Sequence, residues 1–134
     1  MLFRSFNIIN DEIHVVYAVV QINEDDASEQ TLIKLYNTLT GNAFTIRKDG
    51  SEIHYYLTFN GIEEEIYVSD PFPLETPIAV GVDIEGMVES FGGNVAAFFG
   101  NQNGMKMYVG GDEDNQYQFT GYICTVGQIG RAHV

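Results

Sequence analysis

Apolar and polar residues alternate with a period of two along most of this chain, and turn-forming residues interrupt the alternation at short intervals. A period of two places successive side chains on opposite faces of an extended strand. Residues 13–22 (IHVVYAVVQI) are apolar at both parities, which predicts a central strand covered on both sides. Residues 23–30, with Glu24, Asp25 and Asp26, read as a polar loop, and residues 32–39 and 43–48 as short strands. Asp49-Gly50 and Asn60-Gly61 are hairpin signals, because a type I′ turn needs positive φ at both central positions. Between them Ile53, Tyr55, Leu57 and Phe59 alternate with Glu52, His54, Tyr56 and Thr58; after the second turn Ile62, Glu64, Ile66 and Val68 alternate with Glu63, Glu65 and Tyr67. That is a meander with one face toward a core. Glu64 falls on the face of Ile62 and Ile66, which places it at an edge, at a bulge or beside a partner.

Residues 70–77 hold all three prolines and read as a loop. In the strand 78–84, Ile78, Val80, Val82 and Ile84 point inward. Met87, Val88 and Phe91 have the spacing of about one helical turn before Gly92-Gly93 stops it. Strands at 105–109 and 117–126 flank Gly110-Gly111-Asp112, and alternation turns Tyr56, Tyr67 and Tyr108 away from the core. Roughly ten short strands with little helix predict an all-β fold, an antiparallel sandwich or barrel.

Residues 98–127 carry a more specific signal. Their Gly-Gly-acid loop and Phe-Thr-Gly-Tyr-Ile kernel, Phe119 to Ile123, resemble the closing strands of concanavalin A-like, laminin G-type jelly rolls. Residues 29–61 resemble the strand-and-hairpin progression of that family, and residues 76–84 its following strand, without the tryptophan usual there. The block FGGNVAAFFGNQNGMKMYVGG, residues 91–111, is similar to a variant found in virion structural proteins of tailed bacteriophages. The resemblance spans about residues 13–127. It implies an antiparallel β-sandwich of jelly-roll, lectin/glucanase type. It also implies a recognition module in a virion or other extracellular assembly.

Residues 1–128 are expected to form one sandwich domain. The last six residues, IGRAHV, match one frame of a common sequencing adapter, so 129–134 are expected to be a non-native tail and the domain a truncated reading. Six Lys+Arg against nineteen Asp+Glu give a net charge of −13, which repels phosphate backbones and disfavours nucleic acid. No apolar run approaches the roughly 20 residues of a membrane helix, and the first residues given do not show the charged-then-apolar pattern of a signal peptide. Cys124, the one cysteine, excludes an intrachain disulfide and is expected to be a small buried hydrophobe.

The candidate chemistry divides three ways. Asp83 and Glu85 lie at i and i+2 on a strand, roughly 6.6 Å apart along the backbone, near a glycosidase's carboxylate separation. Laminarinase-type jelly rolls carry a Glu-x-Asp-x-Glu strand motif, but Gly81 stands where that motif has its nucleophile. Polysaccharide cleavage is therefore the alternative, and a non-enzymatic module the leading expectation. The family's rim calcium site implies Asp112, Glu113, Asp114 and Asp83 as metal ligands, with the Glu24–Asp26 loop as another source of hard oxygens. A glycan or structural-subunit site would draw on Tyr56, Tyr67 and Tyr108 with Asn101, Gln102 and Asn103. A purely structural spacer is the third reading. His14 and His54 lie on different strands, with no Gly-x-Ser-x-Gly or phosphate-loop motif to accompany them.

Overall fold

The computed structural model describes residues 4–7, 13–24, 28–83, 105–114 and 116–130. Among them there is no helix, and every strand pairs antiparallel. The strands in chain order are β1 (Arg4–Asn7), β2 (Ile13–Gln21), β3 (Gln30–Asn37), β4 (Ala43–Asp49) and β5 (Glu52–Phe59). They continue as β6 (Ile62–Val68), β7 (Pro77–Asp83), β8 (Met105–Val109) and β9 (Tyr122–Gly130). They form a six-stranded sheet of order β1-β8-β3-β4-β5-β6 and a three-stranded sheet of order β7-β2-β9. One apolar cluster joins the two: Val16, Ala18, Val20 and Val80 from the small sheet meet Ile33, Leu35, Phe44, Ile46 and Met107 from the large one. The protein is an antiparallel β-sandwich, as the alternation predicts. Phe44 and Phe119 are completely buried, and each contributes about 2–3 kcal/mol by leaving water.

The local signals explain most of the boundaries. Asn60 (φ 53°) and Gly61 (φ 81°) are both left-handed between the paired Phe59 and Ile62, as a type I′ turn requires. The first hairpin differs by one residue. Asp49 already pairs with Glu52, and only Gly50 (φ 60°) of the central Gly50-Ser51 is left-handed, the pattern of a type II′ turn. The β3–β4 turn closes on Asn37, whose side-chain oxygen accepts from the backbone N–H of Leu39 (2.9 Å) and Thr40 (3.2 Å).

Several expectations are corrected. β2 is central in its sheet, but only Val16, Ala18 and Val20 of its alternating positions are buried; Val15, Tyr17 and Val19 are half-buried, because no described element covers the outer side of the three-stranded sheet. Residues 117–121 are loop, with Tyr117 left-handed (φ 53°), and β9 begins at Tyr122. It runs past 128, where Ile129 and Gly130 pair with Val15 and Ile13. Cys124 is exposed rather than buried: a register shift between Thr125 and Ile123 leaves it as the extra, bulged residue. Met87, Val88 and Phe91 lie outside the described residues. Glu64 lies at an edge, as expected, since β6 ends its sheet, and it pairs in register with Leu57.

Candidate functional site

Chemistry-bearing side chains collect on the outer face of the six-stranded sheet. Antiparallel register sets residues in a line across the strands, and one line reads Tyr108, Lys34, Thr45, Tyr56 and Glu65. Beside it Thr31, Arg47 and His54 form a second line. The ladder shift at Leu32 sends Leu32 and Ile33 to the core while leaving Thr31 opposite Arg47. Both sides of β3 are thereby occupied.

A loop covers this face at one end. Gly110 donates to the carbonyl of Leu32 (3.0 Å), Thr31 to the carbonyl of Tyr117 (2.7 Å), and Phe119 to the carbonyl of Gly110 (2.9 Å). Thr120 donates to Gln30 Oε1 at 3.1 Å. Phe119 anchors the loop in the core, and Asp112 is delivered onto the sheet, only 5% exposed. There Asp112 accepts a hydrogen bond from the Thr31 hydroxyl, with its other oxygen 3.4 Å from Lys34 Nζ and 4.0 Å from Arg47 Nη2.

Each buried cation has a further carboxylate. Lys34 lies 2.8 Å from Glu113, and Arg47 Nη1 donates to Glu63 at 2.6 Å. Burial alone would favour the neutral amine of Lys34, but the bond to Glu113 and the charges of Asp112 and Glu113 outweigh it and raise its pKa above the ordinary lysine value. The same balance, between burial and the bond to Glu63, raises that of Arg47. The guanidinium of Arg47 sits between two rings, 4.8 Å from Tyr56 and 5.1 Å from Tyr117. His54 stacks on Tyr56 with ring planes 14° apart, and its two nitrogens face Glu65 and Glu52. Burial raises the pKa of Tyr56, with Glu65 adding to it, and burial likewise raises that of Tyr108, helped by Glu113.

The sequence-derived candidates divide on this frame. Tyr56 and Tyr108 share the outer face, although Tyr108 is only 9% exposed. Tyr67 is 59% exposed, but the bulge at Ile66 sets it opposite Tyr55, whose ring it meets edge to face at 5.4 Å, away from Tyr56 and Tyr108. Asp112 and Glu113 lie together but oppose protein cations, while Asp114 is exposed. Asp83 is on the outside of the other sheet, paired with Val15, so the four acids do not converge. Among the described residues no group of three His, Cys, Asp or Glu side chains is placed to hold a metal ion. Asn101, Gln102, Asn103 and Glu85 lie outside the described residues. At Gly81 a Cβ would stand 2.6 Å from the Val16 carbonyl oxygen and 2.9 Å from Tyr17 Cβ. Where the hydrolase motif has its nucleophile, this backbone has no room for a side chain.

Sequence reasoning misses Thr31, Lys34, Thr45, Arg47, His54 and Glu63 as members of one site. A signal is present: Lys34 and Arg47 interrupt strand interiors in a chain with only six basic residues. The chain matches no protein-family model, no curated protein and no solved structure.

Proposed function

We propose that this domain is a non-enzymatic recognition module whose binding surface is the outer face of the six-stranded sheet. The observation that carries the proposal is the Tyr56–Arg47–Tyr117 stack, its guanidinium held 2.6 Å from Glu63 and 4.0 Å from Asp112. The Tyr56 ring, held between Arg47 and His54, loses little conformational entropy when a ligand lands on it, and the polar groups beside it select the ligand's orientation. The partner is a surface glycan or another structural subunit, and the setting a virion or other extracellular assembly, as the jelly-roll resemblance implies. The closed backbone at Gly81 supports binding over hydrolysis. No helix among the described residues is long and apolar enough to cross a membrane.

The test is nuclear magnetic resonance mapping of the full chain against an oligosaccharide panel and against candidate subunits. Amide shifts clustered on β3, β4, β5 and the 110–118 loop support the reading. Shifts confined to the three-stranded sheet overturn it.

A further inference from the structure

Apart from Glu113 Oε2, which has its ion pair with Lys34, two polar atoms on this face are buried without a hydrogen-bond partner among the described residues: the Thr45 hydroxyl oxygen and Arg47 Nε. Their residues are only 1% and 8% exposed. They stand two residues apart on β4, so both project from the outer face. Leaving such groups unsatisfied is costly, and they are the groups a ligand can reward. The chemistry of that ligand is set by the partners already taken. Lys34 faces Asp112 and Glu113, and Arg47 faces Glu63 and Asp112. A phosphate or carboxylate arriving here would meet cations already neutralised, and three carboxylates besides. The unused groups are neutral in character: one hydroxyl, which donates and accepts, and one N–H, which donates. A hydroxyl group meets both needs, accepting from Arg47 Nε–H and exchanging a hydrogen bond with Thr45. The rings of Tyr56 and Tyr117 on either side of Arg47 offer apolar faces to the carbon skeleton that bears it.

The geometry points to a subsite for a neutral, hydroxyl-rich ligand, an uncharged glycan, with one hydroxyl seated between Thr45 and Arg47 under the Tyr117 ring. This rests on the recognition role proposed above and names its substrate class. Entry requires the Tyr117 side chain to swing aside. The backbone beneath it stays in place, since its carbonyl accepts from the Thr31 N–H at 2.7 Å.

The experiment titrates the full chain with neutral hexose and N-acetylhexosamine oligosaccharides, in parallel with uronic-acid oligosaccharides of matched length, following the Arg47 Nε–H resonance and the affinity. Thr45→Val, which keeps the shape and removes the hydroxyl, is compared with wild type after urea unfolding has shown that it folds. Neutral sugar shifting the Arg47 Nε–H signal, with binding weakened about five- to tenfold in Thr45→Val and more in Tyr117→Ala, is the expected result. If Thr45→Val fails to fold, the Nε–H shift in the wild-type protein decides alone. Neutral sugar binding that leaves that resonance unmoved, or affinity within twofold in Thr45→Val, overturns the subsite and leaves the recognition face standing. Binding by uronic-acid oligosaccharides alone overturns the ligand class. Absence of shifts on this face with every sugar and every candidate subunit overturns both readings.

Discussion

Replacing Asp112 by Asn keeps the shape of the side chain and removes its charge, so it isolates the electrostatics of the covered face. Removing one member of a buried ion pair costs about 3–5 kcal/mol when the other is left alone. Here neither cation is left alone: Lys34 retains Glu113 at 2.8 Å and Arg47 retains Glu63 at 2.6 Å. The loss is therefore nearer that of one hydrogen bond to a charged group, about 1.5–3 kcal/mol, and we expect about 2 kcal/mol for Asp112→Asn. Asp112→Ala should cost about 3–4 kcal/mol, because it also strips the Thr31 hydroxyl of its acceptor. The assay is urea unfolding followed by far-ultraviolet circular dichroism, with the slope m required to match wild type so that the midpoint reports stability. In a Lys34→Met background the cost of Asp112→Asn should shrink, since the attraction between Lys34 and Asp112 is already gone. An Asp112→Asn protein within about 0.5 kcal/mol of wild type at equal m would refute the reasoning, because exposed ion pairs behave that way.

Three further expectations rest on the same geometry. Folded Lys34, Tyr55, Tyr56 and Tyr108 all hold protons more tightly than their ordinary values of 10.5 and 10.0. Their contribution is complete below those values and is lost as pH rises through the folded pKa values; unfolding free energy should thus fall above about pH 10, with part of the tyrosinate absorbance appearing only on unfolding. Gly81→Ala should destabilise by about 1–3 kcal/mol in urea, since the new Cβ meets the Val16 carbonyl oxygen at 2.6 Å and backbone must shift; a neutral result would mean β2 and β7 do not pair as described. Cys124 should react with a thiol reagent in the native state at close to the rate of the unfolded chain, and Cys124→Ser should change stability by less than about 0.5 kcal/mol, because the side chain is exposed at a bulge.

Strand existence is legible in the sequence because burial on one face writes itself as alternation, as in Ile53, Tyr55 and Leu57 or in Val80 and Val82. Asn60-Gly61 is legible for a different reason, since few residue pairs accept two left-handed conformations in succession. Bulges are not legible. The extra residues Leu32, Ile66 and Cys124 shift the parity of the positions beyond them, so alternation alone misses the meeting of Tyr67 with Tyr55, and an apolar strand context suggests burial for Cys124, which the bulge leaves exposed. The site is legible only in fragments. Asp112 and Glu113 stand out in sequence as acids after Gly-Gly, which favours a calcium reading. That their partners are Lys34 and Arg47 depends on a loop folding back across β3, and no local pattern encodes that return.

The folded-back loop has a consequence for how the domain is made. The bond from Thr31 to Asp112 spans 81 residues, and that from Thr120 to Gln30 spans 90. β2 gains its partners only from β7 and β9, while β4, β5 and β6 are joined by tight hairpins. Hairpins can close in microseconds, but a topology dominated by distant pairings is slow, on the order of milliseconds to seconds. During synthesis the meander leaves the ribosome long before β9, and β2 waits, apolar and unpaired, for more than half of the chain to emerge. Stopped-flow refolding should accordingly be limited by closure of the small sheet, and Val16→Ala in β2 should slow folding less than it speeds unfolding.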